Sequence, residues 1–202
     1  MPELRSISKV FGELMALHKV DLTIPPGKVS GLIGPNGSGK TTLINIITGI
    51  YVPDTGQILL NGADVVGSTA DQITHRGVAR TFQNIRIFKR MTVLENVLAA
   101  SISCDNQTLR LLLGRARKAD GSRMHLAQEA LDTVGLIDES GVIAGDLPLP
   151  LRRRLEIARA LVRNPQLLLL DEPAGGMTPT ETSAIASLIR ERIAPGRTCL
   201  VI

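Results

Sequence analysis

Short apolar runs separated by turn residues open the chain, and the period lengthens past its middle. Val20–Ile24, Val29–Ile33, Gln57–Leu60 and Val78–Phe82 read as strands. "IPPGK" (24–28) and "NGAD" (61–64) between them carry the Pro, Gly and Asn that close turns. From about Val93 to Asp138 apolar residues recur at helical spacing, in "VLENVLAASI" and "HLAQEALDTVGL". The stretch "RLLLGRARKADGSR" (110–123) is basic and interrupted at Gly114 and Gly121, which predicts an exposed connection inside a helical insert. After residue 150 the pattern predicts a helix over about 151–163, a stop at "NPQ" and a strand in "LLLLDEP" (167–173). A helix over Ser183–Arg192 and an apolar strand in "RTCLVI" (197–202) follow. Strand, helix, insert, strand, helix, strand is the order of an α/β domain built on a mostly parallel buried sheet.

Composition narrows this reading in few places. Aromatics are only 2% and Trp is absent, so the core must come from Leu, Ile, Val and Ala. The same scarcity leaves few platforms on which single-stranded nucleic acid could stack. A net charge of +4 suits nucleic acid, an anionic membrane surface or a polyanionic ligand without choosing among them. Cys104 and Cys199 match no metal spacing and read as thiols of a reduced, cytosolic chain. No apolar run reaches the length of a membrane span, and the N-terminus lacks the basic-then-apolar order of a secretory signal.

Chemistry enters at "GPNGSGKTT" (34–42), which matches G-x-x-x-x-G-K-[ST] in full. "VSGLI" before it reads as a buried strand and "LINIITGI" after it as a helix. Phosphates need many donors converging at close range. Gly34, Gly37 and Gly39 let the backbone curl so that successive N–H groups face one point. A helix beginning near Gly39 adds the positive end of its dipole. Lys40 would reach the β- and γ-phosphates, Thr41 would offer its hydroxyl to Mg²⁺, and Thr42 would add a donor near the α-phosphate.

"LLLLDEP" supplies the second half of such a site. Four leucines make a strand buried on both faces. Asp171 then emerges at the carboxyl end, where α/β sheets place their ligands, and would hold Mg²⁺ through water. Glu172 beside it could orient or deprotonate an attacking water. No guanine-reading N-K-x-D is present, which argues against a GTPase. Gln83, in "RTFQNIRIF" (80–88), stands at the end of a predicted strand, just before the helical insert and between the two phosphate elements.

Together "GPNGSGKTT", "TFQN", "LEIARAL" and "LLLLDEP" resemble an ABC-type ATPase subunit, in that family's order and over nearly the whole chain. "RTFQNIRIFKRMTVLENV" and "DEPAGGMTPTET" are most similar to the ATPases of bacterial branched-chain amino acid importers. The resemblance implies a single ABC-type ATPase domain over 1–202. Its expected parts are a P-loop NTPase core with a mostly parallel central sheet, an N-terminal antiparallel β subdomain and an inserted α-helical subdomain over about 93–145. It implies ATP and Mg²⁺ as ligands and Phe11 as an aromatic against adenine. Asn36 and Ser38 join the phosphate loop, and Gln83 meets both Mg²⁺ and the attacking water. The implied partners are polytopic membrane permease subunits and a second ABC ATPase, with no nucleic acid. The implied location is peripheral, on the cytoplasmic face of the bacterial plasma membrane.

Three departures accompany the resemblance. "LPLPL" (147–151) lies where the family carries its LSGGQ signature, which grips the γ-phosphate bound by the partner. Leu147 agrees, but Pro148 replaces the Ser, Leu149 and Pro150 the glycines, and Leu151 the Gln. Thr178 replaces the family's acid after "AGGM". A histidine expected just past the final strand is missing, which suggests truncation at the C-terminus. Two other readings therefore stand beside ATP-driven import: a nucleotide-binding but poorly hydrolysing partner in a heterodimer, and a soluble ABC-type ATPase acting on nucleic acid or ribosomes. The latter usually shows paired ATPase domains, long heptad arms or Cys-x-x-Cys hooks, none of which this sequence contains.

Overall fold

The computed structural model describes residues 2–102 and 119–202. These form two compact units: one of residues 1–80, 166–172 and 194–202, the other of residues 81–165 and 173–193. The second unit therefore extends well beyond the inserted helical subdomain over about 93–145 that the resemblance implies.

The first unit contains two four-stranded sheets. One is antiparallel, in the order β2-β1-β4-β5, with β1 Pro2–Phe11, β2 Leu14–Thr23, β4 Thr55–Leu60 and β5 Ala63–Asp64. The other is parallel, in the order β3-β8-β7-β6, with β3 Val29–Gly31, β6 Val78–Arg80, β7 Leu167–Leu170 and β8 Thr198–Val201. Helices α1 (Lys40–Ile47) and α2 (Ala70–His75) belong to the same unit. Ile44, Ile46 and Ile47 of α1 pack into one apolar cluster with Leu4, Ile7, Ile58, Leu167 and Leu200. The cluster contains no aromatic ring, as the composition requires. All four leucines of β7 are buried, the state expected of a strand covered on both faces.

The second unit is helical: α3 (Val93–Ser101), α4 (Ala119–Val134), α5 (Leu149–Leu161) and α6 (Pro179–Leu188), the last continuing into a π-helical turn over Ile189–Ile193. Val97, Leu131, Leu136, Leu155, Ile157 and Ile193 are among its fully buried side chains.

Several sequence expectations shift. The strand expected at Val20–Ile24 begins at Leu14, and β1 before it carries no clean alternation because its pairings with β2 and β4 contain register shifts. "NGAD" is a turn only at Asn61 and Gly62, whose φ of 51° and 82° suit the two-residue hairpin turn. Ala63 and Asp64 already pair with Leu60 and Leu59. The strand expected to run to Phe82 stops at Arg80, for a reason that lies in α5 and is given below. Helix α5 starts two residues earlier than the pattern suggests, and α6 starts four residues earlier, at Pro179. Gly121 lies within α4 rather than in a connection, while Gly114, Cys104 and most of the basic stretch fall outside the described residues.

Candidate nucleotide-binding site

Strand β3 feeds the loop that enters α1, and each glycine of that loop meets a distinct constraint. Gly39, the N-cap, has φ 88°, and a Cβ there would lie 2.7 Å from the Ala16 carbonyl oxygen and 2.8 Å from Leu17. Gly37 has φ 81°, a conformation open to glycine and costly for other residues. A Cβ on Gly34 would meet Ser38 Oγ at 2.7 Å. Lys40 Nζ donates to the carbonyls of Gly34 and Pro35 at 2.6 and 2.8 Å, so the ammonium lies across the loop. Pro35, Asn36, Gly37, Ser38 and Thr41 are solvent-exposed.

The start of α1 differs from three other helix starts. α2, α3 and α6 are each closed by a capping box, Thr69 with Gln72, Thr92 with Glu95 and Thr178 with Glu181. α1 has no side-chain cap and no acidic residue in its first turn. The N–H groups of Lys40, Thr41 and Thr42 have no acceptor within the helix, and they open where a glycine loop curls around them. That arrangement favours an anion.

Asp171 follows β7 and its side chain is about 8% exposed; Arg80 Nη2, equally buried, donates to its Oδ2 at 2.7 Å. Arg80 closes β6 opposite Leu169. Its other terminal nitrogen, Nη1, donates to Asn45 Oδ1 of α1 at 2.6 Å. One guanidinium thus spans the body of the phosphate-loop helix and the carboxylate at the end of the adjacent strand. Glu172 lies next in the chain, exposed, with φ 45°. A non-glycine residue held in this sparsely populated region is the kind of backbone strain that clusters at functional sites. Neither Arg80 nor Asn45 was singled out from the sequence. The signal available was a lone Arg ending a short apolar strand beside "TFQ".

The donor set suits Mg²⁺. Among the described residues no group of three or more His, Cys, Asp or Glu gathers as a metal cage. Mg²⁺ is commonly held by one or two carboxylates together with substrate phosphates, and Thr41 with Asp171 supplies that kind of partial set.

Phe11 ends β1 opposite Leu14, and Ala16 and Leu17 of the same hairpin pack on Gly39. The Phe11 ring is 40% exposed, meets Tyr51 edge-on at 5.3 Å and carries Lys9 Nζ at 5.5 Å. It is available as an aromatic surface rather than consumed in the core.

Gln83 and the stretch 147–151 belong to the second unit. Gln83 is exposed and lies three residues beyond β6, not at its end. The backbone of Phe82 leaves the sheet because its N–H donates to Glu156 Oε1 at 3.1 Å and its carbonyl accepts from Arg153 Nη1 at 3.1 Å, both on α5. At the start of α5, Pro148 is the N-cap and makes no side-chain cap. The Leu151 and Arg152 N–H groups both donate to the Pro148 carbonyl at 3.1 Å.

Comparisons with known proteins bear on the fold and the family. The family model described as ABC transporter matches residues 17–175. The chain is 41% identical over 188 residues to the high-affinity branched-chain amino acid transport ATP-binding protein LivG of Escherichia coli, covering 90% of this chain and 72% of that one. It is 40% identical over 190 residues to the corresponding protein BraF of Pseudomonas aeruginosa, covering 93% and 74%. A solved ATP-binding cassette of an ABC transporter in its ADP conformation superposes with a TM-score of 0.85 at 33% identity, covering 100% of this chain and 80% of that one.

Proposed function

This chain belongs to the ABC transporter family, and from that premise we propose that it is the ATP-binding and ATP-hydrolysing subunit energising an importer for branched-chain or related amino acids. The observation that carries the nucleotide assignment is the uncapped start of α1 inside a glycine loop, with Lys40 laid across it. Gly34, Asn36, Gly37, Ser38 and Gly39 shape the loop. Backbone N–H groups of 40–42 hold the phosphates, and the Lys40 ammonium offsets the charge that develops on the γ-phosphoryl group. Glu172 orients the attacking water and takes its proton as the bond between the β- and γ-phosphates breaks. Mg²⁺, held by the Thr41 hydroxyl, by Asp171 through water and by Gln83, would supply charge neutralisation at the β- and γ-oxygens. Phe11 packs on adenine.

Subunits of this kind work with membrane permeases and pair with a second ATPase. We assign this chain a peripheral place on the cytoplasmic face of the membrane. In the domain reading we adopt, 1–202 is one ABC-type ATPase domain carrying a helical insert. No described helix is long and apolar enough to cross a membrane. Support for the import reading comes from the matched relatives, whose names describe branched-chain amino acid transport.

Calorimetry with ATP tests the core of this reading: Lys40→Ala should abolish measurable binding, while Glu172→Gln should bind normally and lose turnover. Unchanged affinity in Lys40→Ala would overturn the phosphate assignment. A second reading, a poorly hydrolysing member of a heterodimer, is favoured by Pro148 and Pro150 at the start of α5. It predicts slow turnover by the chain alone and faster turnover in a Pro148→Ser, Leu149→Gly, Pro150→Gly variant.

A further inference from the structure

Helix α5 keeps an ordered arrangement along its body even though its start has lost the groups that would bind a phosphate. Arg153, Glu156 and Arg159 recur every third residue and so share one face. Arg153 and Glu156 are 7% and 5% exposed. Charges so buried are costly unless they are partnered. Their partners lie mainly in one place, the backbone that carries Gln83. Glu156 accepts from the N–H of Phe82 and from the backbone of Arg86. Arg153 Nη1 donates to the Phe82 carbonyl at 3.1 Å and to Glu156 Oε2 at 3.3 Å. Arg159 donates to the Arg86 carbonyl and lies over the Phe88 ring at 5.1 Å. The far end of the same loop is fastened separately: Asn96 of α3, fully buried, accepts from the Phe88 N–H at 2.8 Å and donates to the Phe88 carbonyl at 2.9 Å.

We propose that Arg153, Glu156 and Arg159 are positioning residues for Gln83, clamping residues 82 and 86 on either side of it so that α5 acts on the reaction through this loop in the same chain. Gln83 stands in the chain between two backbone pins whose donors and acceptors are charged, and charge-assisted hydrogen bonds are about twice as strong as neutral ones. The inference rests on the reading of Gln83 as a residue that meets Mg²⁺ and water.

The test uses the full chain carrying Arg153→Met and Glu156→Leu together. Removing both charges avoids stranding either one, and such replacements are often neutral for stability. Three measurements are needed: the thermal midpoint, hydrogen exchange of the amides at 82 and 86, and affinity for ATP with and without Mg²⁺. The double variant is expected to keep its midpoint and its metal-free ATP affinity. Exchange at both amides should accelerate by about tenfold or more, the change expected from losing hydrogen bonds to charged groups, and the gain in affinity that Mg²⁺ gives the wild type should disappear. If the double variant fails to fold, Glu156→Gln replaces it. That variant keeps a carbonyl acceptor for Phe82 and should slow the loop's exchange relative to Glu156→Ala. Equal exchange in the two would overturn the clamp. Gln83→Ala separates the two layers. If it leaves the Mg²⁺ gain intact, the role read for Gln83 is wrong and the inference falls with it. If it abolishes the gain while the double variant retains it, the role of Gln83 stands and the clamp is refuted.

Discussion

Replacing Arg80 with Met should be among the more damaging single changes in the first unit, and the structure sets the size of the effect. The guanidinium lies 2.7 Å from Asp171 and 2.6 Å from Asn45, with the side chains of Arg80 and Asp171 both about 8% exposed. Removing one partner of a buried pair strands the other charge, at a cost of about 3–5 kcal/mol. Loss of the donor to Asn45 adds about 1 kcal/mol. With a urea dependence of about 1–3 kcal/mol per molar, the midpoint should fall by more than about 1 M. The chain has no Trp, so urea titrations followed by far-ultraviolet circular dichroism are the appropriate assay. Arg80→Lys should fall between, because an ammonium lacks the fork that reaches two partners at once. Combining Arg80→Met with Asp171→Asn should recover much of the loss. A cost below about 1 kcal/mol for Arg80→Met, the range of an exposed pair, would refute the view that Asp171 is held as a desolvated ion pair.

Three further outcomes follow from named contacts. Gly39→Ala should lose ATP binding in calorimetry, since φ 88° and a Cβ 2.7 Å from the Ala16 carbonyl leave no room for a side chain; normal binding would show that the loop does not need this conformation. Cys199 is fully buried, and burial pushes its thiol above the ordinary range. In a Cys104→Ser background it should resist alkylation until the chain unfolds, and immediate labelling of the native chain would contradict its burial. Burial also raises the Glu156 carboxyl above its ordinary value, against the opposing influence of the Phe82 backbone N–H and the Arg153 charge. Stability contributed by its protonated form is present below the unfolded value and is lost as pH rises through the folded one. Glu156→Gln does not titrate, so its melting temperature relative to wild type should climb as pH rises above the ordinary glutamate value of about 4; a falling difference would reverse the sign.

The phosphate loop could be read from the sequence because its chemistry is contiguous. Glycines, lysine and threonines stand within nine residues, and a strand and a helix flank them as expected, although β3 ends at Gly31 rather than Ile33 and is largely exposed rather than buried. Asp171 was legible for a similar reason: four leucines leave little alternative to a buried strand with an acid at its exit. Strand β1 was not, because Ser6 with φ 51° and the register shifts around it break the alternation on which a period-two reading depends. The ion pair of Arg80 with Asp171 joins residues 91 apart in sequence, and no local pattern encodes it. Glu156 was hidden in a different way. In "LEIARAL" a glutamate on a helix ordinarily reads as solvent-facing, and its burial becomes intelligible only once the Phe82 and Arg86 backbones are placed against it.

The starts of α1 and α5 show how the same element is put to opposite use. Both begin without a side-chain cap, after loops whose residue types set the backbone in opposite ways. In α1 the loop residues are glycines, and the N–H groups of 40, 41 and 42 are left pointing away from the helix. In α5 the loop residues are prolines. Two of the first positions have no N–H to give, and the next two, Leu151 and Arg152, spend theirs on the Pro148 carbonyl. Only Leu149 retains an N–H uncommitted by helix geometry, too few donors to cradle a phosphate. The dipole at that end persists, yet a dipole without converging donors is a weak site. Selection for anion binding would not place prolines there, whereas a helix start that needs only a fixed φ tolerates them. What α5 contributes therefore lies along its body, where Arg153, Glu156 and Arg159 meet the loop that carries Gln83.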